Sequence, residues 1–92
     1  MSLSNKQIKA LKTQAHHLKP VVRIGQKGVT ENVMMEINNA LDIHELIKIH
    51  IADDDRETRT QSGSDIATQC KAELVSQIGK TCILYRQKPS AA

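Results

Sequence analysis

The sequence predicts an α/β fold of the two-layer α+β type, a four-stranded mixed sheet with three helices in the order αβαβαββ. Three observations lead there. Apolar residues recur at helical spacing over residues 8–18 and 33–41. Runs rich in β-branched residues at 21–24 and 46–51 alternate with those helices. Two short strands joined by Gly79-Lys80 close the chain as a hairpin.

Ser4-Asn5-Lys6-Gln7 has the form of a capping box, with Ser4 as N-cap and Gln7 reaching back to it. Ile8, Leu11, Ala15 and Leu18 follow at steps of three and four, which predicts an amphipathic helix running to about residue 17. Lys6, Lys9, Lys12 and His16 fall on an adjacent arc, so this helix carries a lysine row on its flank. Pro20 ends it and favours extended backbone around Val21, Val22 and Ile24, the first strand.

Gly25-Gln26-Lys27-Gly28 comes next, a Gly-X-X-Gly loop. Both glycines are expected to allow positive φ and to leave no Cβ between the backbone and a ligand. Thr30 is a good N-cap and Glu31 suits a first turn, so a helix opens directly after the loop. Bare amides, a helix N-terminus and Lys27 together make a seat for a phosphate. The bland alternative for the same tetrapeptide is a tight strand-to-helix turn.

The second helix is predicted over residues 30–44, burying Val33, Met34, Ile37, Ala40 and Leu41 and turning Glu31, Glu36 and Asp42 to water. Over 46–51, Ile47, Ile49 and Ile51 share one face of a strand, with Leu46, Lys48 and His50 on the other. Asp53-Asp54-Asp55 supplies a turn and an N-cap. A third helix over 55–71 has almost no apolar residue between Thr58 and Ser64, and Gly63 costs about 1 kcal/mol inside it. An irregular first half is therefore expected. Strands over 74–78 and 81–86 complete one domain of residues 1–88, and a disordered polar tail is expected at 89–92. Two βαβ units imply parallel crossovers, and the hairpin adds an antiparallel strand.

Composition narrows the function. No apolar run is long enough to span a membrane, and the polar start Met1-Ser2-Leu3-Ser4 is not a secretory signal. Cys70 and Cys82 form no CxxC, which favours buried free thiols over a disulfide and a cytoplasmic setting. Tyr85 is the sole aromatic residue, which excludes platforms that stack bases on Phe, Tyr or Trp. Charge is segregated. Residues 1–30 hold Lys6, Lys9, Lys12, Lys19, Arg23 and Lys27 with no acid, residues 31–57 carry −6, and residues 58–92 carry +3. The first block is the footprint expected of a polyanion binder, or else a solvated face.

Other chemistries lack their patterns. Val29-Thr30 follows Gly28 where a P-loop needs Lys and Ser/Thr, and the third glycine of a dinucleotide fingerprint is missing. His16, His17, His44 and His50 show no zinc-ligand spacing with the cysteines. The sequence sets no base and orienter beside a nucleophile, so no enzyme, metal or cofactor is expected.

With these residues in view, the chain resembles the CRM domain (chloroplast RNA splicing and ribosome maturation), in its free-standing bacterial YhbY form. Residues 18–31 resemble the opening of that domain. The match continues through Glu36-Ile37, Ala40-Leu41, His44-Glu45-Leu46-Ile47-Lys48 and Arg56-Glu57-Thr58, and resumes at Gln77-Ile78-Gly79-Lys80 and Leu84-Tyr85-Arg86. The resemblance implies a fold like the C-terminal domain of translation initiation factor three, with an added N-terminal helix. It also implies a non-enzymatic RNA-binding protein of large-ribosomal-subunit precursors, a monomer, with ribosomal RNA and ribosomal proteins as partners. It places the RNA contact at the Gly-X-X-Gly loop, Gly25 to Gly28, in agreement with the reading of the residues themselves, in which Gln26, Lys27 and Thr30 offer donors and Arg23, Lys19, Lys12, Lys9 and Lys6 extend the contact. Family members often close the third helix with glycine where this chain has Lys71. The rival expectation is a module whose acidic middle segment docks a basic ribosomal protein.

Overall fold

A computed structural model describes residues 3–25 and 27–87. The elements are α1 (Asn5–Ala15), β1 (Val22–Ile24), α2 (Glu31–His44), β2 (Leu46–Ile51), α3 (Arg56–Cys70), β3 (Glu73–Ile78) and β4 (Thr81–Tyr85). The order is that expected. The start of the tail at Gln87 is described, whereas the expectation for 89–92 lies outside the described residues.

The capping box closes α1 at its start, with Ser4 N donating to Gln7 Oε1 at 2.8 Å and Gln7 N to Ser4 Oγ at 3.2 Å. The helix ends at Ala15, short of residue 17, because the chain is already turning: Leu18 N donates to Ala15 O at 3.0 Å.

The sheet order is β1-β2-β4-β3, with β1 parallel to β2 and the other neighbours antiparallel. Parallel pairing is thus confined to one neighbouring pair. The unit β2–α3–β3 links strands that run the same way but have β4 inserted between them. Insertion gives β2, the strand that feeds both cores, two hydrogen-bonded neighbours, and Gly79 at φ 57° makes the tight turn that returns β4 to it.

The alternation along β2 serves two cores. Ile47, Ile49 and Ile51 pack with Val22, Ile24, Ile37, Leu41, Ile66, Cys82 and Leu84 beneath α2 and α3. On the other face, Leu46 joins Ala15, Val75 and Ile83, and Ile8, Leu11 and Leu18 of the α1 region pack against them. The first helix is therefore an addition to the free face of a two-layer fold.

The third helix is regular throughout, against the expectation of an irregular first half. Asp55 Oδ2 accepts from Thr58 N at 3.0 Å and from Thr58 Oγ1 at 2.6 Å, which fixes the first turn. Gly63 is a contact position: a Cβ there would lie 2.8 Å from Gln77 Oε1. Its absence lets the Gln77 amide cross from β3 and donate to Arg59 O. Tertiary packing outweighs the weak local signal.

The helix closes on Lys71 in the left-handed region, φ 55° and ψ 38°, with Ala72 N donating to Ala67 O at 2.8 Å. This is the C-terminal geometry usually given to glycine. Beside it, Arg86 ties three elements together. Its guanidinium donates to Asn38 Oδ1 at 2.7 Å, Cys70 O at 2.8 Å, Asn38 O at 3.0 Å and Asp42 Oδ1 at 2.8 Å.

Candidate nucleic-acid interface

The first strand ends at Ile24 and hands the chain straight to the glycine loop, where Gly28 N donates to Gly25 O at 3.0 Å to close a turn. Gly28 sits at φ 75°, a conformation that favours glycine. Gly25 does not, so the expectation of positive φ at both glycines holds only for Gly28. A Cβ built at either position meets nothing within 4 Å. The protein leaves open space there, and at position 25 neither backbone nor packing asks for glycine. Lys27 is exposed, and Gln26 lies outside the described residues.

Thr30 caps α2, its Oγ1 accepting from Val33 N at 3.2 Å, while its carbonyl accepts from Met34 N at 3.0 Å. The first turn of a helix leaves other amides without intrahelical partners and carries the positive end of the dipole. Loop, helix start and Lys27 therefore present donors and positive charge at one corner of the sheet.

The Asp53–Asp55 turn and the Gly79-Lys80 turn lie at the same end of the sheet. Ala52 N donates to Ile24 O at 2.9 Å, and Ile51 N to Lys80 O at 2.8 Å. Structural bonds occupy those acids. Lys80 Nζ meets Asp54 Oδ1 at 2.9 Å, and this ammonium holds the Asp54 carboxyl below its ordinary pKa. Two hydrogen bonds from Thr58 do the same for Asp55. Asp53 Oδ1 accepts from Asp55 N at 2.8 Å, while Arg59 Nη1 donates to Asp53 O at 2.8 Å.

The remaining basic residues divide by position. Arg23 pairs in register with His50, which puts it on the α1 face of β1, one residue from the end of the strand. Lys12 and His16 line a small groove with Lys48, Ser76 and Thr81. Lys9 is exposed one turn earlier, and Lys6 belongs to the first turn of α1. Its neighbour Gln7 lines a hollow with Lys71, Glu73 and Tyr85, at the opposite end of β4 from the loop. Lys19 lies at the start of β1, in a cleft with Val21 and Lys48. The fold thus gathers Gly25, Lys27, Gly28, Thr30 and Arg23, and spreads Lys12, Lys9, Lys6 and Lys19 across the α1 side.

Sequence reasoning missed Lys48 and His50 as members of this face. The signal was present, because the period of two along β2 puts both opposite the isoleucines and on the side of Arg23.

This arrangement defines a class: a small mixed-sheet domain with a glycine-bounded loop opening on a helix N-terminus. Within that class the chain belongs to the CRS1 / YhbY (CRM) domain family, whose pattern matches residues 3–86. It is similar to a Haemophilus influenzae protein named RNA-binding protein, with 48% identity over 98% of this chain and 91% of that one. A Pseudomonas aeruginosa protein named as a probable RNA-binding protein is 39% identical, over 97% and 86% of the two chains. The solution structure of the Staphylococcus aureus protein SAV1595 superposes with a TM-score of 0.86 at 28% identity, covering 99% of this chain and 95% of that one.

Proposed function

We propose that this protein binds RNA without catalysing a reaction, and that its target is ribosomal RNA in precursors of the large ribosomal subunit. In this reading the chain acts as a monomer in the cytoplasm. One observation carries it most. The glycine loop opens on the N-terminus of α2, with open space over both glycines and Lys27 exposed beside them. That geometry suits a phosphate approached by backbone amides and one ammonium. The relatives' names support RNA as the polyanion. Gly28 shapes the loop through its positive φ and Gly25 leaves its backbone open to the RNA, Gln26, Lys27 and Thr30 supply donors, and Arg23, Lys19, Lys12, Lys9 and Lys6 supply longer-range attraction.

The test is fluorescence anisotropy with a ribosomal RNA fragment, comparing the natural protein with the double change Gln26→Asp and Lys27→Asp. Both glycines remain, so circular dichroism should be unchanged while affinity collapses. With about half a dozen phosphate contacts, affinity should also fall by roughly a thousandfold between low and moderate salt. Unchanged affinity in the double variant, or a flat salt response, would refute the loop as the contact.

A second reading has one observation in its favour: Met35 and Ile43 are 63% and 64% exposed on α2, beside the acids Glu31 and Glu36. That surface suits a basic ribosomal protein. The Asp53–Asp55 part of this rival is weakened, because those groups already hold the turn together. Under this reading Glu36→Lys abolishes recruitment to ribosomal precursors; under the RNA reading it barely matters.

A further inference from the structure

We infer that a cleft at the start of β1 and β2 seats one unstacked nucleotide of a single-stranded RNA whose neighbouring phosphates reach the glycine loop; this rests on the RNA reading above. The cleft measures about 530 Å³ and is lined by Gln14, His17, Leu18, Lys19, Val21, His44, Leu46, Ile47 and Lys48. That volume lies within the roughly 300–1,000 Å³ usual for small-ligand sites.

The chemistry divides as a nucleotide does. Leu18 and Leu46, which pack together on the α1 side, give the cleft an apolar wall, buried Ile47 borders it from the other face of β2, and Val21 stands 48% exposed at the edge. His17 and His44 contribute two exposed planar rings, and Lys19 and Lys48 two ammonium groups, while no lining residue is acidic. Imidazole rings are among the side chains on which unstacked bases lie, and ammonium groups meet the phosphate. Histidine thus supplies what a chain without Trp or Phe otherwise lacks. A basic protein segment fits less well, because the rim is itself basic.

The cleft and the loop lie at the two ends of β1. From Val21 to Gly25 is four residues of extended chain, about 13 Å at ~3.3 Å per residue. Between them, on the α1 side, Arg23 stands next to His50, whose Nδ1 is buried with no hydrogen-bond partner among the described residues. One strand of RNA can therefore lie along β1, from Lys19 and Lys48 past Arg23 to Lys27.

The test is an NMR titration of the full chain with a short single-stranded RNA of mixed sequence, following backbone amides and histidine ring protons. Shifts at His17 and His44 together with Gly28 and Val29 are the expected result. Shifts at the histidines alone uphold the cleft and refute the loop. Shifts at the loop alone overturn the cleft and leave the loop reading standing, and no shift anywhere overturns both. A duplex of the same sequence, its bases stacked, should leave the histidines unmoved; equal shifts would mean a phosphate site only and overturn the nucleotide seat. As a second measurement, His17→Ala with His44→Ala should weaken binding about tenfold, the loss of one base stack, at unchanged melting temperature. Unchanged affinity in that variant would overturn the proposal.

Discussion

Replacing Arg86 by alanine should cost this domain a large part of its stability. The guanidinium makes four hydrogen bonds of 2.7–3.0 Å to α2 and to the last carbonyl of α3, and its side chain is only 22% exposed. Asp42 is largely exposed, so that ion pair contributes less than about 1 kcal/mol. The bonds to Asn38 and to Cys70 O are part-buried, and their loss leaves acceptors without donors. At about 1 kcal/mol for each of these bonds, the total comes to about 3 kcal/mol. For a domain of this size that is a fall in melting temperature of roughly 12–24 °C. Arg86→Lys should recover less than half, because one ammonium does not span Asn38 and Cys70 together. Thermal unfolding followed by circular dichroism, with Asp42→Asn as the control for the exposed pair, measures all three. If Arg86→Ala melts within about 3 °C of the natural protein, the account of Arg86 as the tie between α2, α3 and β4 is wrong.

Lys71→Gly removes a left-handed Cβ clash at the end of α3 and should stabilise by about 0.5–1 kcal/mol, read as a melting temperature a few degrees higher. At Gly63, alanine gains about 1 kcal/mol of helix propensity but displaces Gln77 from Arg59 O, so Gly63→Ala should be close to neutral. Gly63→Val overfills the same contact and should cost about 2 kcal/mol in denaturant unfolding. Burial pushes the Cys82 thiol from its ordinary 9.0 up to about 12, so iodoacetamide should leave it unmodified at pH 8 until the protein unfolds. Because the folded thiol titrates above the unfolded one, its contribution is whole below pH 9 and is lost as pH rises from about 9 towards about 12. The slope is on the order of 1.4 kcal/mol per pH unit over that range, measurable by denaturant unfolding at a series of pH values.

Local chemistry that the chain carries in its own sequence came through intact. The capping box at Ser4, the N-caps at Thr30 and Asp55 and the alternation of β2 all depend on residues within a few positions of one another. The order of the seven elements and the place of the glycine loop follow from such signals. So does the acid-free first third, since charge is counted without knowing any contact.

Features that depend on distant partners came only from the tertiary structure. The regularity of α3 rests on Gln77 filling the space over Gly63, 14 positions away in the chain. Arg86 acts through Asn38, Asp42 and Cys70, and no local pattern marks it. The insertion of β4 between β2 and β3 is a choice among pairings that periodicity leaves equal, decided by which strand best completes the buried face of β2. Likewise the lysines of α1 form one helical arc, yet the fold sets Lys12 beside Lys48 and leaves Lys6 near the far end of the sheet from the loop. A sequence specifies which side chains share a helix face or a strand face, because those periods are built into the backbone. Which faces then meet is settled by packing and burial across the whole chain.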